Sequence, residues 1–245
     1  MVSYYRGFLY FYHKSNNMSY NWILFDADNT LLDFTGASKM AFSDAIKQLD
    51  IPPSPNLFDR YKKVNHIVWT ELENGKINAV TLRKRRFELF LQDIEVNRDP
   101  VLFNQLYLEN LVAHSKMLPG ARQLLHHLHG KTKLGLITNG LKEVQRPRLA
   151  HTQIDHFFDV IVVSDEIGVS KPDTAYFEYV FNEMGHPPKE SVIVVGDNLN
   201  SDIKGGVDYG VDTCWFNPNN QPNESDIAPT HHAQDFDKIL KILTV

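Results

Sequence analysis

The chain has 245 residues, 42% of them hydrophobic and 22% charged, which is ordinary for a globular protein with one domain or with one domain that carries an insertion. The formal net charge is −5, and the only run of basic residues covers positions 83–86, so a role in binding nucleic acid or a membrane surface is disfavoured. The single cysteine, Cys214, excludes an internal disulfide and a zinc site built on thiolates, and we therefore expect a reducing compartment, the cytoplasm.

The chain begins with a tyrosine-rich segment, residues 1–17. Its apolar run, GFLYFY, is too short to span a bilayer or to form the core of a signal peptide. A second methionine, Met18, stands just before the first strand-like run. We therefore expect residues 1–17 to be an extension that precedes the folded protein; an extra strand or an interface segment is the alternative.

Five short apolar runs are predicted to be β-strands. They cover residues 22–25, 133–137, 160–163, 192–195 and 213–216. From the second run onward, helical patterns separate them. Apolar residues are nearly continuous within each run, which is typical of strands that are buried on both faces of a parallel sheet. This order predicts right-handed βαβ units and a doubly wound α/β fold of the Rossmann-like kind.

Between the first and second strands the pattern is helical. Four amphipathic stretches separated by proline, glycine and asparagine turns cover residues 37–49, 56–73, 80–92 and 100–114. A helical block in this position is most simply an insertion into the α/β domain. We therefore predict a core domain of residues 18–32 and 115–245, and a helical cap domain of residues 33–114.

The first strand runs into the sequence DADNT, which places Asp26 and Asp28 where the strand leaves the sheet. In a doubly wound sheet, ligands bind at this carboxyl edge. A strand that simply ends in a polar turn would explain one aspartate. A calcium-binding loop is a second alternative, but it needs glycine where Leu31 stands. The motif alone leaves these readings open.

Polar residues also follow the other strands. The second strand ends in Thr138 and Asn139, the third is followed by Lys171, and the fourth by Asp197 and Asp202. Taken singly, each could cap a helix or lie in a solvated loop. Since the carboxyl ends of parallel strands meet at one edge, we expect these side chains to converge with the aspartates of the first strand.

Crowded carboxylates repel one another, and a divalent cation removes that repulsion. We predict that Asp26, Asp197 and the backbone carbonyl of Asp28 bind Mg²⁺, which prefers octahedral oxygen ligands. A carboxylate that attacks a phosphate also meets repulsion, roughly 5.5 kcal/mol for two unit charges about 3 Å apart at an effective dielectric of 20. Mg²⁺ on one side and Lys171 on the other would cancel it.

In this order, the motifs DxDxT, TN, K and GDxxxxD resemble those of the haloacid dehalogenase superfamily of phosphohydrolases, over the chain from Trp22 to Phe216. The resemblance implies that Asp26 is the nucleophile and forms an aspartyl-phosphate. It implies that Asp28 is the general acid and base, and that Lys171 steadies the nucleophile and the phosphate. Because the dehalogenase branch usually lacks the second aspartate, Asp28 favours phosphoryl transfer.

The same resemblance assigns the remaining motif residues. Thr138 and Asn139 are expected to bind phosphate, Asp197 to hold Mg²⁺, and Asp202 to support the metal site without binding the ion. The helical insertion resembles a C1-type cap, which closes over the site and excludes bulk water. Substrate selection is expected to lie there and in the loop after the first strand.

Within the family, the stretches DADNTLLDF, VNxxxWxxxxNG, RRF and GVSKPD resemble the bacterial house-cleaning pyrimidine 5′-nucleotidases of the YjjG type. The resemblance implies a pyrimidine nucleoside 5′-monophosphate as substrate. The cap then offers four candidates for base recognition, Asn65, Trp69, Arg86 and Phe87, although packing inside the cap would also explain the two aromatic residues.

Three other functions stay open. A sugar-phosphate phosphatase of the N-acylneuraminate-9-phosphatase type shares the DxDNT opening, and a phosphomutase shares the core motifs. A non-catalytic scaffold is disfavoured because Asp26, Asp28 and Lys171 are all present. The expected partner is a small phosphate monoester, with neither nucleic acid nor membrane, and the protein could be a monomer or a homodimer.

Overall fold

The computed structural model describes residues 18–244, in which the chain forms one parallel sheet flanked by helices. The strands are β1 Trp22–Phe25, β2 Lys133–Thr138, β3 Val160–Val163, β4 Val192–Gly196, β5 Asp212–Phe216 and β6 His231–Ala233. Their order across the sheet is β3-β2-β1-β4-β5-β6, and every neighbouring pair is parallel. The predicted doubly wound α/β fold is therefore confirmed, while the predicted extension, residues 1–17, lies outside the described residues.

Strand β1 occupies the middle of the sheet, between β2 and β4. Its residues Ile23, Leu24 and Phe25 have no exposed surface, although successive side chains point to opposite faces. A continuous apolar run is what this position requires. The chain passes to β2 and β3 on one side of β1 and returns to β4 and β5 on the other, so a crevice opens at the carboxyl ends of these strands.

Within residues 18–244, six helices accompany the strands. They are α5 Ala121–Leu128, α6 Lys142–His151, α7 Ser164–Ile167, α8 Thr174–Glu183, α9 Lys204–Tyr209 and α10 Phe236–Leu243, with a π-helical turn Leu199–Ile203 ahead of α9 and 3₁₀ turns at Asp155–Phe157 and Lys189–Ser191. Strand β6 and helices α7 and α10 were not predicted from the sequence. Strand β6 has three residues at the sheet edge and buries only Ala233, so it carries no apolar run. Helix α10 had a usable signal in its Asp235 cap and its buried Ile239 and Leu243.

Four further helices lie between β1 and β2, as predicted. They are α1 Phe34–Gln48, α2 Leu57–Glu73, α3 Ala79–Asp93 and α4 Pro100–Ala113. Three of them begin at a side-chain cap: Asp33, Asn78 and Asp99 each accept a hydrogen bond from a backbone N–H of the first turn. Among the helices of residues 18–244, none is both long enough and apolar enough to cross a bilayer.

Helices α1–α4 have a hydrophobic core of their own. Its centre is a cluster of aromatic rings, in which Phe87 stacks on Phe103 with 4.4 Å between ring centroids and on Tyr61 with 5.3 Å. Two other clusters cover the faces of the sheet. Leu141 and Val144, at the start of α6, extend the helical cluster onto the sheet side of the molecule. The division into cap and core at residues 33 and 114 stays a prediction that this arrangement supports.

Candidate active site

A cavity of about 330 Å³ lies at the carboxyl edge of the sheet, beneath helices α2, α3 and α4. This volume is at the small end of the range for ligand-binding pockets. Its floor is formed by polar residues from the strand ends: Asp26, Asp28, Thr138, Asn139, Lys171, Asp197 and Asp202. Its roof includes Asn65, Trp69, Arg86 and Tyr107. The residues predicted from separate strand ends thus line one cavity.

Lys171 is the centre of the floor and is 1% exposed. Its ammonium donates to Asp26 Oδ1 at 2.7 Å, to Asp202 Oδ1 at 2.7 Å and to the carbonyl of Ile137 at 2.8 Å. These bonds use all three donors of the group. Burial alone would lower the pKa of Lys171, but the carboxylates of Asp202 and Asp26 raise it, so the amine is held as a cation against the first aspartate.

Asn139 lines the cavity as expected, but its side-chain amide is bonded to the backbone of Lys171. Its amide nitrogen donates to the carbonyl of Lys171 at 2.7 Å, and its amide oxygen accepts from the N–H of Lys171 at 2.8 Å. Both ends of the side chain are therefore engaged in tying the Lys171 loop to the end of β2. Thr138, which is 1% exposed, accepts a hydrogen bond from Gln145 Nε2 at 2.6 Å and keeps its own hydroxyl proton for another acceptor.

Three carboxylates meet beside Lys171. Asp26, Asp197 and Asp202 each place an oxygen within 4.8 Å of the others. Burial raises the pKa of Asp26 to about 7, helped by Asp202 and Asp28 and opposed by Lys171. Burial, with the charges of Asp26, Asp202 and Asp28, raises the pKa of Asp197 to about 8. One ammonium does not balance this charge, and the set of oxygen donors fits a hard divalent cation.

The cluster differs in one respect from the predicted ligands. Asp202 is the third carboxylate, but its oxygens are engaged by Lys171 Nζ and by the N–H of Asn198 at 3.1 Å. Gly196 makes room for it, since a Cβ there would lie 2.3 Å from Asp202 Oδ2. The side chain of Asp28 lines the same cavity and accepts hydrogen bonds from α6, but it is not one of the three clustered carboxylates.

Thr30, the last residue of DxDxT, has a structural task that the sequence analysis did not assign. It is fully buried, and its hydroxyl accepts from the N–H of Asp197 at 3.0 Å and donates to Asp197 Oδ1 at 3.4 Å. Trp215 Nε1 donates to the carbonyl of Asp197 at 2.9 Å. The spacing of the motif was the available signal, because it places a hydroxyl in the loop after β1, four residues after the first aspartate.

Two residues of α6 that were not predicted from the sequence hold Asp28 in place. Arg148 Nη1 donates to Asp28 Oδ1 at 2.6 Å, and Gln145 Nε2 donates to Asp28 Oδ2 at 3.1 Å. Both side chains are 1% exposed. Gly140 allows this packing, since a Cβ there would lie 2.3 Å from Gln145 Cγ. The available signal was a glutamine and an arginine three residues apart on the helix that follows Thr138-Asn139-Gly140.

Three of the four candidates for substrate recognition line the cavity, and the fourth lies in the core of the helical block. Asn65, Trp69 and Arg86 line the cavity. Phe87 is fully buried in the aromatic cluster of α1–α4 and is not among the residues that line the cavity within the described chain. The alternative stated for the aromatic pair therefore describes Phe87, whereas Trp69 faces the site.

Arg86 is 3% exposed and is bonded within the roof. Its Nη2 donates to Asn104 Oδ1 at 2.7 Å, and its Nη1 lies 3.4 Å from Asn65 Oδ1. Its guanidinium carbon lies 5.2 Å from the centre of the Tyr107 ring. Since a guanidinium has no acceptor, the amide of Asn65 must present its oxygen to Arg86 and turn its nitrogen elsewhere.

The chain is similar to known proteins over most of its length. The sequence profile described as haloacid dehalogenase-like hydrolase matches residues 20–210. The chain is 34% identical over 229 residues to the pyrimidine 5′-nucleotidase YjjG of Escherichia coli (strain K12), covering 92% of this chain and 99% of that protein. It is 30% identical over 227 residues to the pyrimidine 5′-nucleotidase PynA of Streptococcus pneumoniae, covering 92% and 96%.

A solved structure is similar over the same extent. The HAD-hydrolase YfnB of Bacillus subtilis, crystallised with bound magnesium and described as showing interdomain movement, superimposes with a TM-score of 0.85 at 33% identity. The match covers 92% of this chain and 99% of that one.

Proposed function

The chain belongs to the haloacid dehalogenase-like hydrolases, and we propose that it is a Mg²⁺-dependent phosphatase that hydrolyses pyrimidine nucleoside 5′-monophosphates through an aspartyl-phosphate. Its enzyme class, a hydrolase of phosphoric monoesters, follows from the family and from its nucleotidase relatives. The observation that carries the proposal is the pair formed by Asp26 and the buried ammonium of Lys171, with Asp28 on the same cavity floor.

In the first half of the proposed reaction, a carboxylate oxygen of Asp26 attacks phosphorus. The bond between phosphorus and the 5′ oxygen of the nucleoside breaks, and the protonated Asp28 gives its proton to that oxygen. Lys171 offsets the negative charge that gathers around Asp26, and the hydroxyl of Thr138 is free to donate to a phosphate oxygen. Asn139 contributes by holding the Lys171 loop in place.

In the second half, water attacks the phosphorus of the aspartyl-phosphate. Asp28, now a carboxylate, takes the proton from that water, and the bond between phosphorus and the Asp26 oxygen breaks. Inorganic phosphate leaves, Asp26 is restored as a carboxylate, and Asp28 is again protonated. Each half uses the same second carboxylate, which explains why the site needs both aspartates of DADNT.

The metal would be held by Asp26, Asp197 and the backbone carbonyl of Asp28. When bound, Mg²⁺ supplies the positive charge that offsets the repulsion between the nucleophile and a phosphate dianion. Asp202 would support this site by fixing Lys171 rather than by binding the ion, because both of its oxygens already accept hydrogen bonds, Oδ1 from that amine and Oδ2 from the N–H of Asn198. The physical reason to expect such a cation here is that oxygens of Asp26, Asp197 and Asp202 lie within 4.8 Å of one another beside the ammonium of Lys171.

For the base we propose recognition from the roof. Asn65 Oδ1 faces the donors Arg86 Nη1 and Tyr61 Oη, each at 3.4 Å, and its Nδ2 donates to none of the described residues. That nitrogen is available for a pyrimidine carbonyl, while Trp69 offers a stacking surface. The helical block of residues 33–114 would act as a cap that excludes water, and the cytoplasm remains the expected location.

Steady-state kinetics on a substrate panel tests the proposal. UMP, dUMP, dTMP, purine monophosphates and sugar phosphates are compared, with Mg²⁺ and with EDTA. We expect the highest kcat/KM for pyrimidine monophosphates and loss of turnover in EDTA. A higher kcat/KM for sugar phosphates would indicate a sugar-phosphate phosphatase instead of a nucleotidase. Transfer of the phosphate to a second sugar instead of water would indicate a phosphomutase.

A further inference from the structure

Arg148 is a buried cation in the active site to which the reaction above gives no task. It lies on α6 and lines the cavity, yet it is 1% exposed. A buried charge is costly unless it is paired and hydrogen-bonded. Arg148 is paired with Asp28, the residue that must move a proton in both halves of the proposed reaction, at 2.6 Å.

The contacts around Arg148 form a clamp, which comprises Arg148 and Gln145. Arg148 Nη1 donates to Asp28 Oδ1 and to Gln145 Oε1 at 2.7 Å, and Gln145 Nε2 donates to Asp28 Oδ2 and to Thr138 Oγ1. Each oxygen of the Asp28 carboxylate therefore has its own donor. Rotation of that carboxylate would break at least one bond, so the clamp fixes its direction in the cavity.

The same guanidinium interacts with both segments at which the chain passes between the sheet and helices α1–α4. Nε donates to Ser115 Oγ at 2.9 Å, just after α4, and the guanidinium lies 5.6 Å from the centre of the Phe34 ring, at the start of α1. Ser115 in turn donates to the carbonyl of Leu111 in α4. The direction of Asp28 is thus tied to the two segments at which the helical block joins the sheet.

We propose that Arg148, through the clamp with Gln145, is a positioning residue that aims the carboxylate of Asp28 at the oxygen of the leaving group. The proposal rests on the proposed function. When the clamp is lost, Asp28 still exchanges protons with water but no longer delivers one to the leaving oxygen at the moment the phosphorus–oxygen bond breaks. The cost falls on leaving groups that need a proton.

The dependence of kcat/KM on the leaving group tests this role. The need for a proton on the leaving group increases along a series of three substrates. p-Nitrophenolate leaves without a proton, phenolate depends on one to some extent, and a nucleoside 5′ alkoxide depends on one strongly. For Arg148→Met we expect kcat/KM to fall about 100-fold for UMP, the size of a general-acid contribution, and only a few-fold for p-nitrophenyl phosphate. Phenyl phosphate is expected to fall between them.

A matched control lies on the same helix. Arg146 is 47% exposed and pairs with Glu166 at 2.8 Å, so Arg146→Met also removes an arginine–carboxylate pair from α6 but leaves Asp28 untouched. We expect this variant to keep the wild-type leaving-group dependence. Arg148→Lys keeps the charge but loses the forked geometry, and we expect a dependence between those of wild type and Arg148→Met.

Equal losses on all three substrates in Arg148→Met would overturn the inference, as would wild-type turnover of UMP. If Arg148→Met does not fold by circular dichroism, Gln145→Met carries the same comparison, because it removes the donor to Asp28 Oδ2. An inactive wild-type protein, or full turnover in Asp26→Asn, would instead contradict the proposed function. An active wild-type protein together with equal losses on all three substrates in Arg148→Met would contradict only the role of Arg148.

Discussion

The floor and the roof of the cavity are held together in different ways. On the floor, charged groups from β1, β3–α8 and β4–α9 segments meet in short bonds, such as the two 2.7 Å contacts of Lys171. The roof is built on a hydrophobic core with aromatic rings at its centre, and its polar contacts involve Arg86, which bonds to Asn104 at 2.7 Å and lies 3.4 Å from Asn65. A parallel sheet holds strand ends rigidly, whereas a separate helical core can change without disturbing them.

The difference suggests a division of labour. The transfer of the phosphoryl group is the same for every phosphate monoester and requires catalytic groups in fixed positions. The floor provides such groups. We expect selection among substrates to lie in the roof, whose side chains stand on helices that pack among themselves. Changes to Asp26, Lys171 or Asp197 on the floor should then affect all substrates alike, and changes to the roof should affect some substrates more than others.

The largest expected effect is that of Asp26→Asn on the floor. Removal of the nucleophile should lower kcat for every phosphate monoester by about 10⁴-fold or more. The melting temperature should not fall, because the substitution also removes a charge that burial disfavours. Phosphate release and thermal unfolding measure the two effects, and turnover comparable to wild type would rule out covalent catalysis at this residue.

Lys171→Met is expected to damage the floor in a second way. It leaves Asp26 and Asp202 buried without their cation, and breaking a buried pair from one side costs about 3–5 kcal/mol of unfolding free energy. Urea unfolding measures this cost, and activity should be lost on all substrates. The double variant Lys171→Met/Asp202→Asn should recover part of the stability, because one unpaired charge is removed; no recovery would contradict the electrostatic account.

Mg²⁺ should stabilise the floor more at high pH than at low pH. The folded-state pKa values of Asp26 and Asp197, about 7 and 8, lie above the ordinary value of 3.8. Without metal, the folded state therefore binds more protons than the unfolded state between about pH 4 and 8, and the unfolding free energy falls as pH rises through that window. The bound cation offsets this loss, so the gain in melting temperature with MgCl₂ should be larger above pH 8 than near pH 5.

Thermal unfolding at both pH values, with MgCl₂ and with EDTA, measures this difference. Asp197→Asn serves as the control, because it removes one of the two raised pKa values and a metal ligand. In that variant the difference between the two pH values should shrink. An equal gain at both pH values in the wild-type protein would mean that the metal is not bound by these carboxylates.

The smallest expected effect belongs to the roof. Asn65→Leu removes the free amide donor, and we expect kcat/KM to fall about fivefold for UMP, the value of one ordinary hydrogen bond. The small substrate p-nitrophenyl phosphate, which has no base, should be unaffected. Asn104→Leu is the matched control, since it also removes a partner of Arg86 but leaves Asn65 in place. Equal losses for both substrates would place Asn65 outside base recognition.

Much of the floor could be predicted from the sequence. The strands could be predicted because burial on both faces of the sheet requires continuous apolar runs. Parallel connections then bring the carboxyl ends of the strands to one edge. Asp26, Lys171 and Asp197 were therefore expected to meet, and they line one cavity. Strand β6 could not be found in this way, because its three residues at the sheet edge bury a single alanine.

The direction of individual side chains was much harder to predict. Trp69 and Phe87 both lie on amphipathic helices, and only the packing of α1–α4 decides that Trp69 faces the cavity while Phe87 stacks inside. Asn139 follows β2 as expected, but its amide is turned to the Lys171 backbone. Neither outcome has a local sequence signal, because each depends on a neighbour that is distant along the chain.

By itself, then, the sequence determined the doubly wound sheet, the helical block between β1 and β2, and the set of polar residues at the sheet edge. Those features follow from local periodicity and from the order of strands and helices. Tertiary structure alone decided that Arg148 and Gln145 clamp Asp28, from which they are 120 and 117 residues away. The reason is physical: periodicity places a side chain on one face of an element, but its partner is set by how separate elements pack.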